Sequence, residues 1–292
     1  MTNATSLMTH GGRSLYCLAG HDVREAMDAL RTGEAEGLVI ARCRGFVGND
    51  LSVLAQFSDL RALVVFDALD LDASFLSHVT SLRYLSLADV GGTVDLGGMS
   101  ELRHLRLKIA KGISLPTSGL PGLEELAVWA LAHKDLAFLS GFTALRSLEI
   151  IQAKKLESLA GVHVCKGLRD LVVAYCPALL DISDLSFLTL LETLDLQNVK
   201  GVSDFSSLSH LLGLEKLIIE KTSPLEDVEF LRGLRRLKHL VIRSAPIESG
   251  DLSPALGLPS LRHVYLDNKK EYGSAVMQLY DKAKQNAKAR DS

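Results

Sequence analysis

The chain has 292 residues, 47% of them hydrophobic and 23% charged, with a formal net charge of −3. That much apolar material excludes a disordered chain, and the slightly acidic balance excludes a globally basic polyanion binder, so nucleic acid is not an expected partner. No stretch reaches the roughly 18 uninterrupted apolar residues of a membrane span. The start, Met1 to Arg13, lacks the basic segment and apolar run of a secretory signal, so a cytoplasmic protein without membrane contact is expected.

Residues 1–34 read as an N-terminal cap. Ser14–Ala19 has strand character. Asp22 and Glu25 then form a capping-box-like helix start. Val23, Met27 and Leu30 recur at helical spacing, and Gly33 ends the helix. Residues 35–269 carry one pattern about eleven times: Leu-x-x-Leu-x-Leu with aliphatic substitutions. A weak first copy is Ala35-Leu38-Ile40. Ten strong copies lead with Leu60, Leu82, Leu102, Leu123, Leu145, Leu168, Leu191, Leu214, Leu237 and Leu261, at intervals of 20–24 residues. Residues 270–292 read as a C-terminal capping helix with a frayed tail. Ser274 is placed to cap it, Val276, Leu279, Tyr280 and Ala283 line one face, and Asn286–Ser292 forms the tail.

This spacing and strand signature resemble the leucine-rich-repeat family over roughly residues 35–269. Second halves such as Asp184-Leu185-Ser186-Phe187-Leu188, Asp204-Phe205-Ser206-Ser207-Leu208 and Asp227-Val228-Glu229-Phe230-Leu231 are similar to those of the phosphatase-regulator and bacterial internalin-like classes. The resemblance implies an α/β solenoid. Its curved horseshoe would have a concave parallel β-sheet and short helical or 3₁₀ turns on the convex side. The chain departs from the family where an asparagine ladder is usual. That column reads Cys43, Ala68, Val90, Ala110, Leu131, Ala153, Cys176, Val199, Thr222, Ala245 and Lys269. Other backbone groups or water must then satisfy the bend. Cys is a familiar filler there, which assigns Cys43 and Cys176 a structural role. None of the four cysteines forms a C-x-x-C pair, so reduced, mostly buried thiols are expected.

Strand alternation sends the leucines inward and the residues between them to the concave face. Arg103, His104, Arg106 and Lys108 make a basic strand there. Glu124, Glu125, Glu149, Asp170, Glu192 and Asp195 make an acidic zone. Phe66, Tyr84, Trp129 and Ile151 add large apolar groups, with Tyr175 at a strand end. Binding hot spots favour Trp, Tyr and Arg. The candidate partner-binding residues are therefore Phe66, Tyr84, Arg106, Lys108, Glu125, Trp129, Glu149, Ile151, Tyr175 and Asp195, with the single Trp foremost. The alternative for Trp129 is packing between strands, and for the charges a solvated face.

The chain has no Gly-rich phosphate loop, no H-E-x-x-H and no G-x-S-x-G. His239 and His263 fall on adjacent strands without an obvious third metal ligand. Carboxylates such as Glu125 and Glu149 imitate an acid/base dyad but would be solvated on an open surface. No catalytic residue, metal or cofactor is expected. The expected function is a monomeric, non-enzymatic module that binds another protein, as an inhibitor or as an immunity protein for a toxin. A regulatory adaptor, a host-directed bacterial effector and an enzyme or metal-binding subunit are the alternatives.

Overall fold

Each Leu-x-x-Leu-x-Leu copy forms a short strand because alternation puts its last two aliphatic residues on one face. Leu148 and Ile150, Leu171 and Val173, and Leu194 and Leu196 are fully buried, while the intervening Glu149, Val172 and Asp195 are half-exposed. The computed structural model describes residues 7–20, 23–91, 93–109, 115, 120–267 and 270–288. They fall into two units, Met1–Val128 and Trp129–Ser292.

The first unit begins with β1 (Leu7–His10), β2 (Arg13–Cys17) and α1 (Arg24–Thr32). It continues with β3 (Gly37–Ala41), β4 (Ala62–Phe66), β5 (Ala68–Asp72), β6 (Tyr84–Leu87), β7 (Val90–Gly91) and β8 (His104–Lys108), and β9 (Glu125–Trp129) runs to the boundary. The sheet order is β1-β2-β3-β4-β6-β8-β9, and β5 pairs with β7 in a separate small sheet. β1 and β2 are antiparallel, a hairpin that the pattern reading misses. From β2 to β8 the pairing is parallel. Helix α1 ends at Gly33, φ 77°, as its sequence predicts. It starts after Val23, which makes no side-chain cap bond, and Asp22 of the expected capping box lies outside the described residues.

The second unit holds β10 (Ser147–Ile151), β11 (Asp170–Ala174), β12 (Thr193–Gln197), β13 (Lys216–Glu220), β14 (His239–Arg243), α2 (Ser253–Leu256), β15 (His263–Leu266) and α3 (Ala275–Lys288). β10 to β15 pair in sequence order, all parallel and in unbroken register. Helix α3 buries Val276, Leu279 and Ala283. It also satisfies the last strand: the Tyr280 hydroxyl lies 3.3 Å from both the amide and the carbonyl of Leu266. Asn286, expected in a frayed tail, is instead helical and donates to the Leu261 carbonyl at 2.9 Å. Residues 289–292 of that tail lie outside the described residues.

The returning segments are short 3₁₀ turns, among them Ser74–His78, Ala137–Gly141, Ser183–Phe187, Ser206–His210 and Glu229–Gly233. An aspartate two residues before each turn accepts its first amide: Asp72, Asp135, Asp181, Asp204 and Asp227, at 2.8–3.0 Å. This aspartate column fixes where the chain reverses. It also corrects the alignment of Asp184 with Asp204 and Asp227, because Asp181 is the capping residue in that repeat. Asp184 accepts instead from the Gly161 amide and the His163 ring, at 2.8 and 2.6 Å.

The missing asparagine ladder has a main-chain substitute. One residue per repeat just after the strand takes a left-handed conformation: Asp67, Asp89, Ala130, Gln152, Tyr175, Asn198, Lys221 and Ser244, with φ of 50–59°. From Ala130 to Lys221, each of their amides donates to the carbonyl ending the following strand, at 2.8–2.9 Å. The apolar column that follows, Leu131, Ala153, Cys176, Val199 and Ala245, is then free to be buried. Cys43 departs from this column. It is exposed, in a 3₁₀ turn at Arg42–Arg44, and does not fill a bend. Ala110 and Lys269 lie outside the described residues.

Candidate binding face

The leucine-free face of the sheet differs between the two units. In the first unit the chain covers its own face. Leu15 and Cys17 of β2 join Val39, Ala62, Val64 and Tyr84 in a second small core, with Met8 and Phe66 packed against it. The hairpin turn, Gly11–Gly12, is seated on Tyr84: a Cβ on Gly11 would lie 2.7 Å from the Tyr84 hydroxyl. Arg13 lies 4.4 Å above the Tyr84 ring, and His10 meets it edge-on at 6.2 Å.

This seating corrects two sequence expectations. Tyr84 is 3% exposed, and Phe66 is half-buried against the same cluster, so neither is an open anchor. The cause is long-range, because β1 and β2 supply the apolar cover. The seat is polar at its tip. Tyr84 Oη and His10 Nε2 are buried and make no hydrogen bond among the described residues. Burial raises the Tyr84 pKa. Burial, and then the positive Arg106, lower that of His10. Past the hairpin, Arg106 is half-buried, Lys108 pairs with Asp89 at 2.6 Å, and Glu125 lies 2.9 Å from His104.

In the second unit this face is open. Register aligns Val172, Asp195, Ile218, Val241 and Tyr265 across β11–β15. All but Tyr265 are half-exposed, and Tyr265 is 51% exposed. The aligned positions in the first unit, Val39, Val64 and Ser86, are buried. Of the predicted residues, Trp129, Glu149 and Ile151 are half-exposed here and Tyr175 is exposed. Tyr175 projects from one of the left-handed positions, φ 58°. The Asp195 carboxyl accepts from Gln197 at 2.9 Å. Burial pushes its pKa up, against the opposing pull of Gln197 and Lys216.

Charge is ordered along the strand starts. The residue before each strand reads Arg146, Arg169, Glu192, Glu215, Lys238 and Arg262. Arg169 pairs with Glu192, and Glu215 with both Lys238 (2.5 Å) and Arg236 (3.0 Å). Those two cations hold the Glu215 carboxyl below its usual range, the Lys238 hydrogen bond most strongly. Register pairs His239 with His263, and their rings stack 4.5 Å apart at 9°. Among the described residues no three His, Cys, Asp or Glu converge as a metal site. Cys165 and Cys176 are buried, which pushes both thiols up to about 11. No described helix is long and apolar enough to cross a membrane.

Neither a family model nor a curated protein sequence matches the chain. Solved structures do. An internalin (inlF) from Listeria monocytogenes superposes with a TM-score of 0.54 at 17% identity, over 84% of this chain and 76% of that one. A leucine-rich-repeat protein of Leptospira interrogans gives 0.55 at 16% identity, over 85% and 66%. The leucine-rich-repeat domain of the type III effector XopL gives 0.52 at 18% identity, over 84% and 86%. With the repeat geometry above, these define the fold: the chain has the leucine-rich-repeat fold.

Proposed function

We propose that the chain is a non-enzymatic recognition module that binds another protein on the open sheet face of its second unit. The carrying observation is the column of half-exposed Val172, Ile218 and Val241 and exposed Tyr265 in unbroken register, left uncovered by the described residues. Trp129, Glu149, Ile151, Tyr175 and Asp195 are its proposed contacts. Arg106, Lys108 and Glu125 are proposed as a separate polar contact region on the first unit. Phe66 and Tyr84 are left to the hairpin seat. Residues 1–34 and 270–292 are proposed as end caps.

We read this face as that of an inhibitor or immunity protein of a partner enzyme, because masking a partner's surface requires only a recognition face. An adaptor or a host-directed effector would use the same face, and the captured partner decides between them. Solved neighbours include a plant peptide hormone receptor in complex with a peptide and a TLR13–RNA complex, so a protein ligand and RNA are both tested. The experiment is affinity capture from the source cell, repeated with Trp129→Ala and Ile151→Glu. A specific partner held by the parent protein and lost in both variants supports the reading. Equal recovery of that partner by parent and variants overturns it, as does a partner removed by ribonuclease.

A further inference from the structure

We propose that the C-terminal corner of this open face, formed by Lys216, His239, Arg262 and His263, receives an acidic polypeptide segment of the partner. The inference rests on the recognition reading and adds the chemistry of what is recognised.

Among the described residues, cations outnumber carboxylates at this corner, although Asp195 on the neighbouring strand lies near enough to Lys216 to feel its charge. Lys216, Arg236, Lys238 and Arg262 are permanent cations gathered at the starts of β13, β14 and β15. Glu215 is the carboxylate among them, and it is already shared by Lys238 and Arg236. Elsewhere in the same row, Arg169 has Glu192. Arg262, at the end of the row, has no following strand-start acid to pair with among the described residues. The other acids of these strands, Glu220 and Asp267, sit at the opposite strand ends, about 13 Å away at 3.3 Å per residue. They are engaged there: Glu220 by Lys221 and Arg243, Asp267 by the Ser244 amide.

The stacked imidazoles add a second feature. His239 and His263 are both exposed, with nearly parallel, stacked rings. Lys216 faces His239 from β13, His263 and Arg262 face it from β15, and Lys238 flanks it on its own strand. Burial first, then these four positive or titrating groups, lower the His239 pKa. A proton on His239 is thus disfavoured in the free protein. Carboxylates arriving at this corner oppose that effect and favour a proton on His239. Binding then takes up protons, so affinity increases as pH falls from 7.5 to 5.5, while glutamate side chains remain ionised above about pH 4.3. Tyr265, exposed two residues after His263 on the same strand, supplies apolar contact for the segment's stem.

The test uses the full-length protein and a fluorescein-labelled octaglutamate peptide, read by anisotropy at low salt. Binding is expected to tighten about tenfold from pH 7.5 to 5.5, in line with uptake of about half a proton averaged over that range. Lys216→Glu with Arg262→Glu should abolish binding without lowering the thermal midpoint. His239→Asn with His263→Asn should weaken binding at pH 5.5 more than at pH 7.5 and so flatten the pH dependence. Two results overturn the proposal: octaglutamate affinity unaffected by the charge reversal, or tighter binding of a single-stranded RNA octamer. A partner capture still sensitive to Ile151→Glu, alongside failure of octaglutamate, would refute this corner's role and leave the recognition reading standing.

Discussion

Gly11→Ala should unseat the N-terminal hairpin, and its cost divides into two parts that separate experimentally. Gly11 has φ 56°, where an L side chain costs about 1 kcal/mol. The new Cβ would also lie 2.7 Å from Tyr84 Oη and 3.2 Å from Cζ. The Tyr84 ring has little room to retreat, being 3% exposed and overlaid by Arg13. Overpacking of this kind costs about 1–3 kcal/mol. Gly12 is the control: its φ is 77°, but a Cβ there meets nothing within 4 Å, so Gly12→Ala should cost only the conformational part. Hydrogen exchange resolved by segment is the assay, because a repeat protein opens locally rather than all at once. Gly11→Ala should speed exchange in β2 and β3 by 1–3 kcal/mol more than Gly12→Ala. Equal effects of the two variants would refute the packed seat. Tyr84→Phe should act in the opposite sense and slow exchange, since it removes a buried hydroxyl without a partner, worth about 1 kcal/mol.

Further outcomes follow from the repeat architecture. Asp181→Ala and Asp204→Ala should each cost about 1 kcal/mol by removing a turn cap, measured by thermal unfolding. Hydrogen bonds from Ser183 and Ser206 lower the pKa of these two carboxyls in the folded state. Their contribution is thus complete above the unfolded value near pH 4 and lost as pH falls through the folded values, which acid titration of stability should display. Lys221→Gly should stabilise by about 0.5–1 kcal/mol by relieving a left-handed lysine, and Asn198→Gly by less, because Asn tolerates that region. Under native conditions at pH 8, Cys43 should react with a thiol reagent while Cys165 and Cys176 stay protected, separating exposed from buried thiols.

The repeat was legible because burial enforces it. A leucine displaced by one position would face solvent, so the pattern has to keep pace with the strands. The left-handed column was not legible. It holds Asp, Ala, Gln, Tyr, Asn, Lys and Ser, and from Ala130 to Lys221 the amide does the bonding whatever the side chain. The aspartate column was half legible, since two aspartates three residues apart, Asp181 and Asp184, compete for one place in the alignment. The hairpin had a local signal that went unread: Gly11-Gly12 between two short runs is the usual signature of a two-residue turn with φ positive at both positions. Its consequence for Tyr84 had no local signal at all. Strand alternation placed Tyr84 on the leucine-free face correctly, but only contacts with residues some seventy positions earlier reveal that the face is covered there. The candidate site therefore moved towards the second unit, where the same alternation leads to open surface.

Hydrogen exchange of the captured complex tests the central claim most directly. Comparison of free and bound protein should show protection in β10–β15, strongest around Val172, Ile218 and Val241, with the 3₁₀ turns at Ser183–Phe187 and Ser206–His210 unchanged. Protection of those turns with β10–β15 unaltered would contradict the account.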